Sequence, residues 1–317
     1  MVQYGFALST EEHPPSALVH HAQLAEDAGF DFVSVTDHYH PWLGAQGHSS
    51  FVWSILAAAG SRTSRLRFGT GVTCPIMRIH PAVLAQASAT TACLLPGRFF
   101  FGVGSGEALN EHVVGRHWPR PAVRLEMMEE AVGIIRDLWS GRVVNHEGRH
   151  FKVEHARLYD PPPEPPPVVV SALGPRAAEV AGRIGDGYWG TSADASLIDR
   201  WRSAGGSGPC YGQINVCWDD DEGTARETAR RQWANAALVG QVPRELKTPR
   251  HVEEATAAAG EDSVAQSVVC GPDAGPIIEK VRTYVEAGYD HLYFHQIGPR
   301  QDDFFRFYAQ DLRHQLP

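Results

Sequence analysis

The chain has 317 residues, enough for two domains or for one large α/β barrel with a substantial core. Its 28 Lys and Arg against 37 Asp and Glu give a net charge of -9 with no basic block, which argues against a nucleic-acid surface. No long uncharged apolar run predicts a membrane span, and residues 1–5 enter a strand pattern without the basic start or apolar core of a signal peptide. Cys74, Cys93, Cys210, Cys217 and Cys270 are scattered, odd in number and without C-x-x-C spacing, so reduced thiols in a cytoplasmic protein are expected.

In chain order, β-branched or aromatic runs alternate with amphipathic stretches. The pattern predicts a strand over 4–9 and a helix over 16–28, with Ser16 as its cap behind Pro14-Pro15. A strand over 31–36, a helix near 51–61, a strand over 66–72, a helix near 81–94 and a strand near 98–103 follow, then an amphipathic helix over 125–139. Residues 143–153 alternate around Glu147-Gly148 and predict an inserted β-hairpin. The proline-rich stretch 161–167 is an extended spacer. Strands over 168–171, 188–191, 212–218, 267–269 and 291–295 then alternate with helices over 176–184 and 196–203, one from Glu222, one over 274–287 and a last one reaching Leu312. About eight such units predict one domain over 1–317, a (β/α)8 TIM barrel. The hairpin and the weakly patterned stretch 239–261 would be insertions over the C-terminal strand ends. A doubly wound open sheet is the alternative, because a sequence does not display closure.

The predicted strand 31–36 runs directly into Thr36-Asp37-His38-Tyr39-His40-Pro41-Trp42. In parallel α/β folds, ligands bind at the carboxyl ends of strands. His38 is the leading candidate acid or base, since imidazole exchanges a proton near neutrality. Asp37 could orient a ligand or that histidine, and Trp42 offers a flat face to a ring. In the competing reading His38 caps a loop and Trp42 fills a gap.

A second strand exit reads Phe101-Gly102-Val103-Gly104-Ser105-Gly106-Glu107. Its glycines permit close backbone approach, and Glu107 is a candidate general acid if desolvated. The spacing is not the dinucleotide fingerprint G-x-G-x-x-G. Gly71 lies in a third exit that could face a cofactor or could simply end before Pro75. Ser171-Ala172-Leu173-Gly174-Pro175 opens a helix whose free N–H groups suit a phosphate, or is a plain turn. His20 and His21 are expected at or near a helix surface, and His295 at the barrel mouth. No metal is expected: H-E-x-x-H is absent, and the His38/His40 pair lacks a third ligand.

Together Thr36 to Trp42, Gly69-Thr70-Gly71-Val72 and the stretch Leu94 to Glu111 resemble the bacterial luciferase-like superfamily, and within it the F420-dependent glucose-6-phosphate dehydrogenases. Leu138-Trp139-Ser140-Gly141, the segment Ala181 to Ser192 and Ala287 to Gly298 extend the resemblance over most of the chain. It implies a TIM barrel, a homodimer, and coenzyme F420 over the strand ends, with FMN as the alternative cofactor. Asp37, Gly71, Val72 and Thr73 would hold the ring, with a non-proline cis peptide at Gly71-Val72. Ser105, Gly106, Glu107, Asn110, Ala172, Leu173 and Gly174 would line the tail. His38 would be the base, Glu107 the acid that protonates the deazaflavin, and Trp42 a shield, with Glu11 a further active-site carboxylate. Thr191, Asp194 and His295 complete the expected substrate contacts.

The sugar-phosphate enzymes carry a lysine shortly after the matching Thr-Ser pair. Here Thr191-Ser192 is followed by Ala193-Asp194, and other positions expected to be basic read Val252-Glu253-Glu254 and Ala265-Gln266. A phosphate dianion needs cationic or N–H partners. The expectation is therefore a neutral or cationic alcohol or amino sugar, with Asp194 and Glu254 repelling phosphate. An FMN monooxygenase and a non-catalytic flavin carrier are the rival functions.

Overall fold

The computed structural model describes residues 2–317. Eleven strands appear in chain order: β1 Gln3–Leu8, β2 Phe32–Val35, β3 Arg67–Thr70, β4 Phe99–Val103, β5 Val144–Glu147, β6 Lys152–Ala156, β7 Val168–Ser171, β8 Gly187–Gly190, β9 Cys210–Cys217, β10 Val268–Cys270 and β11 His291–Gln296. Strands β1, β2, β3, β4, β7, β8, β9 and β11 pair in parallel, and the β8–β9 pairing closes the ring. The chain is thus a closed eight-stranded (β/α)8 barrel, as the repeat count predicts.

The period of two along each strand sorts side chains into two layers. Outward residues such as Phe6, Val33, Val35, Phe68, Phe101 and Leu292 join the helices in one large core cluster. Inward residues Ala7, Phe32, Phe100, Val169, Trp189, Tyr211 and Tyr293 fill the barrel. Their rings pack closely: Trp189 stacks on Tyr211 at 5.3 Å, and Tyr211 on Phe100 at 5.0 Å. This aromatic plug forms a floor, so the polar inward residues beyond it must face the carboxyl ends of the strands.

Three expectations need correction. The first helix is Pro15–Ala28 with no side-chain cap; Pro15 at its first position has no N–H to satisfy, so Ser16 lies inside the turn. His21 is buried, packed edge-on against His13 at 4.9 Å. Strand β10 is not a barrel stave. It pairs only with the C-terminal half of β9, at Asn215, Val216 and Cys217, whereas β8 pairs with β9 at Cys210, Tyr211 and Gly212.

The two insertions also behave differently. Hairpin β5–β6 is pinned to the flank of helix Pro121–Trp139, where Glu130 accepts from the N–H groups of His150 and Phe151. The later stretch folds into short helices Val242–Glu245 and Pro249–Thr256, and residues 240–244 reach over the strand ends. No helix among the described residues is long and apolar enough to cross a membrane.

Candidate active site

Strand β1 exits through Ser9-Thr10-Glu11-Glu12, and the adjacent β2 through Thr36-Asp37-His38. The hydroxyls of Ser9, Thr10 and Thr36 converge on Glu11 Oε2, the first two at 3.3 Å. All are O–H donors, so they hold a carboxylate whose other oxygen is free for a partner. That partner is His38, whose Nε2 lies 3.4 Å from Glu11 Oε1. His38 Nδ1 lies 3.2 Å from the carbonyl of His40. The other ring nitrogen, Nε2, faces Glu11, so both nitrogens meet groups that accept. The Trp42 ring sits 5.3 Å from the His38 ring.

One residue away, Asp37 is turned inward. Its Oδ2 accepts from Thr73 Oγ1 at 2.8 Å and its Oδ1 from Arg78 Nη2 at 2.6 Å. The Arg78 backbone N–H and Nε contact Glu111 at 2.8 and 3.5 Å. Burial pushes the Glu111 carboxyl up to about 7 despite Arg78, whose own stronger ion pair is with Asp37. Asn110 Oδ1 accepts from the N–H groups of Tyr39 and His40 at 2.9 and 3.2 Å. The Asp37–Arg78–Glu111 cluster and Asn110 thus lock the β2 exit onto the β4 exit.

The Gly71–Val72 peptide is cis, as the family resemblance implies. A Cβ at Gly71 would lie 1.8 Å from Ser34 Oγ, so only glycine fits between these strands. Gly106 adopts φ of 73°, and a Cβ there would meet Cys74 Sγ at 2.4 Å. Past β7, Gly174 precedes helix Pro175–Ile184, whose first turn has no acidic residue and no side-chain cap.

A third wall comes from alternate residues of β8, β9 and β11. Trp189 Nε1 donates to Tyr293 Oη at 2.9 Å, and Tyr293 donates to Gln213 Oε1 at 2.8 Å. Gln213 Nε2 donates to Asn215 Oδ1 at 2.7 Å, which lies 3.3 Å from His295 Nδ1. His295 Nε2 lies 2.6 Å from Glu12 Oε2, and Glu12 Oε1 accepts from the Gly298 N–H at 3.1 Å. Burial alone would raise the Glu12 carboxyl, but the His295 ring and the Gly298 N–H hold it below the usual carboxylate range.

These three walls enclose one cavity of about 710 Å³, within the range of small-molecule sites. Of the predicted residues, Glu11, His38, Trp42, Gly71, Val72, Ser105, Gly106, Glu107, Leu173, Gly174, Thr191 and His295 line it. Asp37, Thr73, Asn110 and Ala172 stand behind that lining, buried and engaged with other protein groups or packed in the core. Asp194 is placed elsewhere: it caps helix Ala195–Ser203 by accepting from Ser196 N at 3.0 Å. Glu254 pairs with Arg250 at the surface. Neither acid lines the cavity, so direct repulsion of phosphate by them does not hold.

Trp189, Gln213, Asn215, Trp233, Tyr293, Arg124, Arg176 and Arg244 line the cavity but were not singled out. Period-two polarity in β9 and β11 could have indicated Gln213, Asn215, Tyr293 and His295 as one face. The arginines had no such signal. Arg124 stacks on Trp118 at 4.4 Å and pairs with Glu245 at 3.0 Å, and Arg244 lies on the same short helix as Glu245. Among the described residues no cluster of three or more His, Cys, Asp or Glu could hold a metal ion.

A family model described as luciferase-like monooxygenase matches residues 2–291. An F420-dependent glucose-6-phosphate dehydrogenase of Segniliparus rotundus is 37% identical, over 99% of this chain and 98% of its own length. Among solved structures, an F420-dependent secondary alcohol dehydrogenase in complex with an F420–acetone adduct superposes with a TM-score of 0.90 at 32% identity, over 98% of this chain and 99% of that one. The coenzyme F420-dependent tetrahydromethanopterin reductase of Methanopyrus kandleri shares the fold, with a TM-score of 0.81 at 20% identity over 100% and 99% of the two chains.

Proposed function

We propose that this chain, which belongs to the luciferase-like family, is an F420-dependent oxidoreductase that interconverts a neutral or cationic alcohol, amino sugars included, with its carbonyl counterpart. The observation that carries the reading is that the His38–Glu11 pair and Glu107 open into one cavity, on different strand exits.

The residues fit a flat ring bearing an anionic tail. Gly71 and Val72 give a wall without polar side chains, and the uncapped start of helix Pro175–Ile184 offers N–H groups to an anion. Arg124, Arg176 and Arg244 stand on the elements around that end of the cavity. When bound, the deazaflavin supplies the hydride acceptor or donor. In the oxidation direction His38 Nε2 takes the hydroxyl proton, and Glu11 meets the positive charge the ring then acquires. Glu107, which lines the cavity from the β4 exit, is the proposed acid toward the cofactor, and Trp42, beside the His38 ring, the proposed shield against water. The F420-dependent relatives favour F420 over FMN.

No Lys or Arg lines the cavity from β8, β9 or β11, where Thr191, Asn215 and His295 lie. That supports a substrate without a phosphate, although the named relatives at comparable identity act on glucose 6-phosphate. Fluorescence titration with F420 and FMN, followed by turnover assays with isopropanol, sorbitol and glucose 6-phosphate, tests both parts. Tight FMN binding with no F420 binding sinks the cofactor assignment. Glucose 6-phosphate outperforming the neutral alcohols sinks the substrate class. A homodimer is part of the proposal, and light scattering that finds a monomer refutes it.

A further inference from the structure

Two adjacent carboxylates on the β1 exit hold two different histidines. Glu11 holds His38 on the β2 side, and Glu12 holds His295 on β11, the other neighbour of β1. The first pair belongs to the proton transfer above, and the second has no task in it. Both histidines line the same cavity, on strands that flank β1 and are therefore about 10 Å apart.

The second pair ends a hydrogen-bond chain that runs along the strand face from Trp189 to Glu12. Trp189 Nε1 donates to Tyr293 Oη, whose hydroxyl donates to Gln213 Oε1. Gln213 donates through Nε2 to Asn215 Oδ1. His295 Nδ1 lies 3.3 Å from that same oxygen, and its Nε2 lies 2.6 Å from Glu12 Oε2. Asn215 Oδ1 is thus engaged by both Gln213 and His295. Its Nδ2 makes no hydrogen bond among the described residues, and Asn215 lines the cavity. Nearby, Trp233 packs edge-on against His295 at 4.4 Å, and Asn235, two residues on, lines the cavity with a buried Oδ1 that has no partner.

We propose that the Asn215 Nδ2 donor and the Asn235 Oδ1 acceptor form a second polar subsite that binds a hydroxyl of the substrate remote from the reacting carbon, so the natural substrate is a polyol or sugar alcohol and not a simple secondary alcohol. One donor and one unmatched acceptor complement a hydroxyl group, which both accepts and donates. Glu12 and His295 are positioning residues: they hold the Asn215 amide and do not touch the reacting atoms. Leaving either amide group unmatched over a shorter alcohol costs binding, which discriminates against substrates lacking the second hydroxyl.

The inference rests on the alcohol-oxidising reading, and the experiment separates the two. The F420-loaded enzyme is assayed with isopropanol, glycerol and sorbitol, and wild type is compared with Asn215→Asp. The aspartate keeps the acceptor for Gln213 and His295, replaces the outward donor by an acceptor oxygen and adds a negative charge. Wild-type kcat/KM should rise along the series. Asn215→Asp should lose on the order of 10- to 100-fold with sorbitol, mostly in KM, and much less with isopropanol. Equal losses on all three alcohols, or a flat wild-type series, overturn the subsite while leaving the alcohol reading intact. In parallel, sorbitol is titrated into asparagine-labelled, F420-free protein. The Asn215 side-chain amide resonance should shift with sorbitol and stay in place with isopropanol. If no alcohol turns over, the alcohol reading fails, and an unmoved Asn215 resonance still refutes the subsite independently.

Discussion

The cavity has two faces built on different principles. The face from β2, β3 and β4 is made of loop residues beyond the strand ends and gathers titratable groups: His38, Glu107, and behind them Asp37, Arg78 and Glu111. The face from β8, β9 and β11 is made of residues inside the strands, and its lining groups are joined end to end by hydrogen bonds. A loop brings one group to the cavity outside the strand register, which suits proton transfer. A strand face fixes several groups in register, which suits recognition. The contrast assigns chemistry to the first face and discrimination to the second.

The largest expected effect is at His38. His38→Ala should lower kcat by about 100- to 10,000-fold while changing F420 affinity only slightly. Wild-type kcat across a range of pH in that variant would remove His38 as the base. Glu107→Gln should slow only the half-reaction that protonates the cofactor, by about tenfold or more. Stopped-flow traces in both directions separate the halves, and equal rates in wild type and variant would move Glu107 from the first face into the scaffold.

Acidity distinguishes the faces further. On the first face the Glu111 carboxyl is raised to about 7, so folding favours its protonated form. The stability it contributes is fully present below the ordinary carboxylate range and is lost as pH rises toward and through 7. On the second face Glu12 is lowered, so its contribution is present above the ordinary range and lost as pH falls below it. Glu111→Gln should therefore gain Tm relative to wild type as pH rises from about 4.5 to about 7.5, whereas Glu12→Gln should gain relative to wild type only on acidification. Melting curves across pH check both signs, and parallel slopes for the two variants would erase the distinction.

The same contrast explains what the sequence disclosed. Thr36 to Trp42 and Gly102 to Glu107 are contiguous, and they stand out because charges and glycines at a strand exit conflict with ordinary packing. The barrel was legible too, through repeating apolar runs, although β10 mimicked a stave because a short buried strand has the same composition wherever it pairs. The second face was mostly hidden. Gln213, Asn215 and His295 are single letters in separate strands, brought together only by the register of β9 against β11. Glu12 was hidden for another reason, since beside Glu11 it reads as part of one acidic pair, and only the fold sends the two carboxylates to opposite sides of β1.

Asp194 gives the smallest effect and a clean boundary to the second face. By sequence position it follows Thr191, which lines the cavity, and a substrate contact is the natural expectation. The structure instead turns its Oδ1 to the Ser196 N–H at 3.0 Å and the Ser196 hydroxyl at 2.6 Å, the geometry of a helix cap. A cap contributes to stability and nothing to binding. Asp194→Ala should therefore lower the unfolding free energy by about 1 kcal/mol and leave KM for sorbitol within about twofold. Denaturant melts and steady-state kinetics on one preparation measure both quantities. A KM that moves while stability does not would carry the substrate wall beyond Thr191, and would restore the negative charge of Asp194 as a reason for the absence of phosphate.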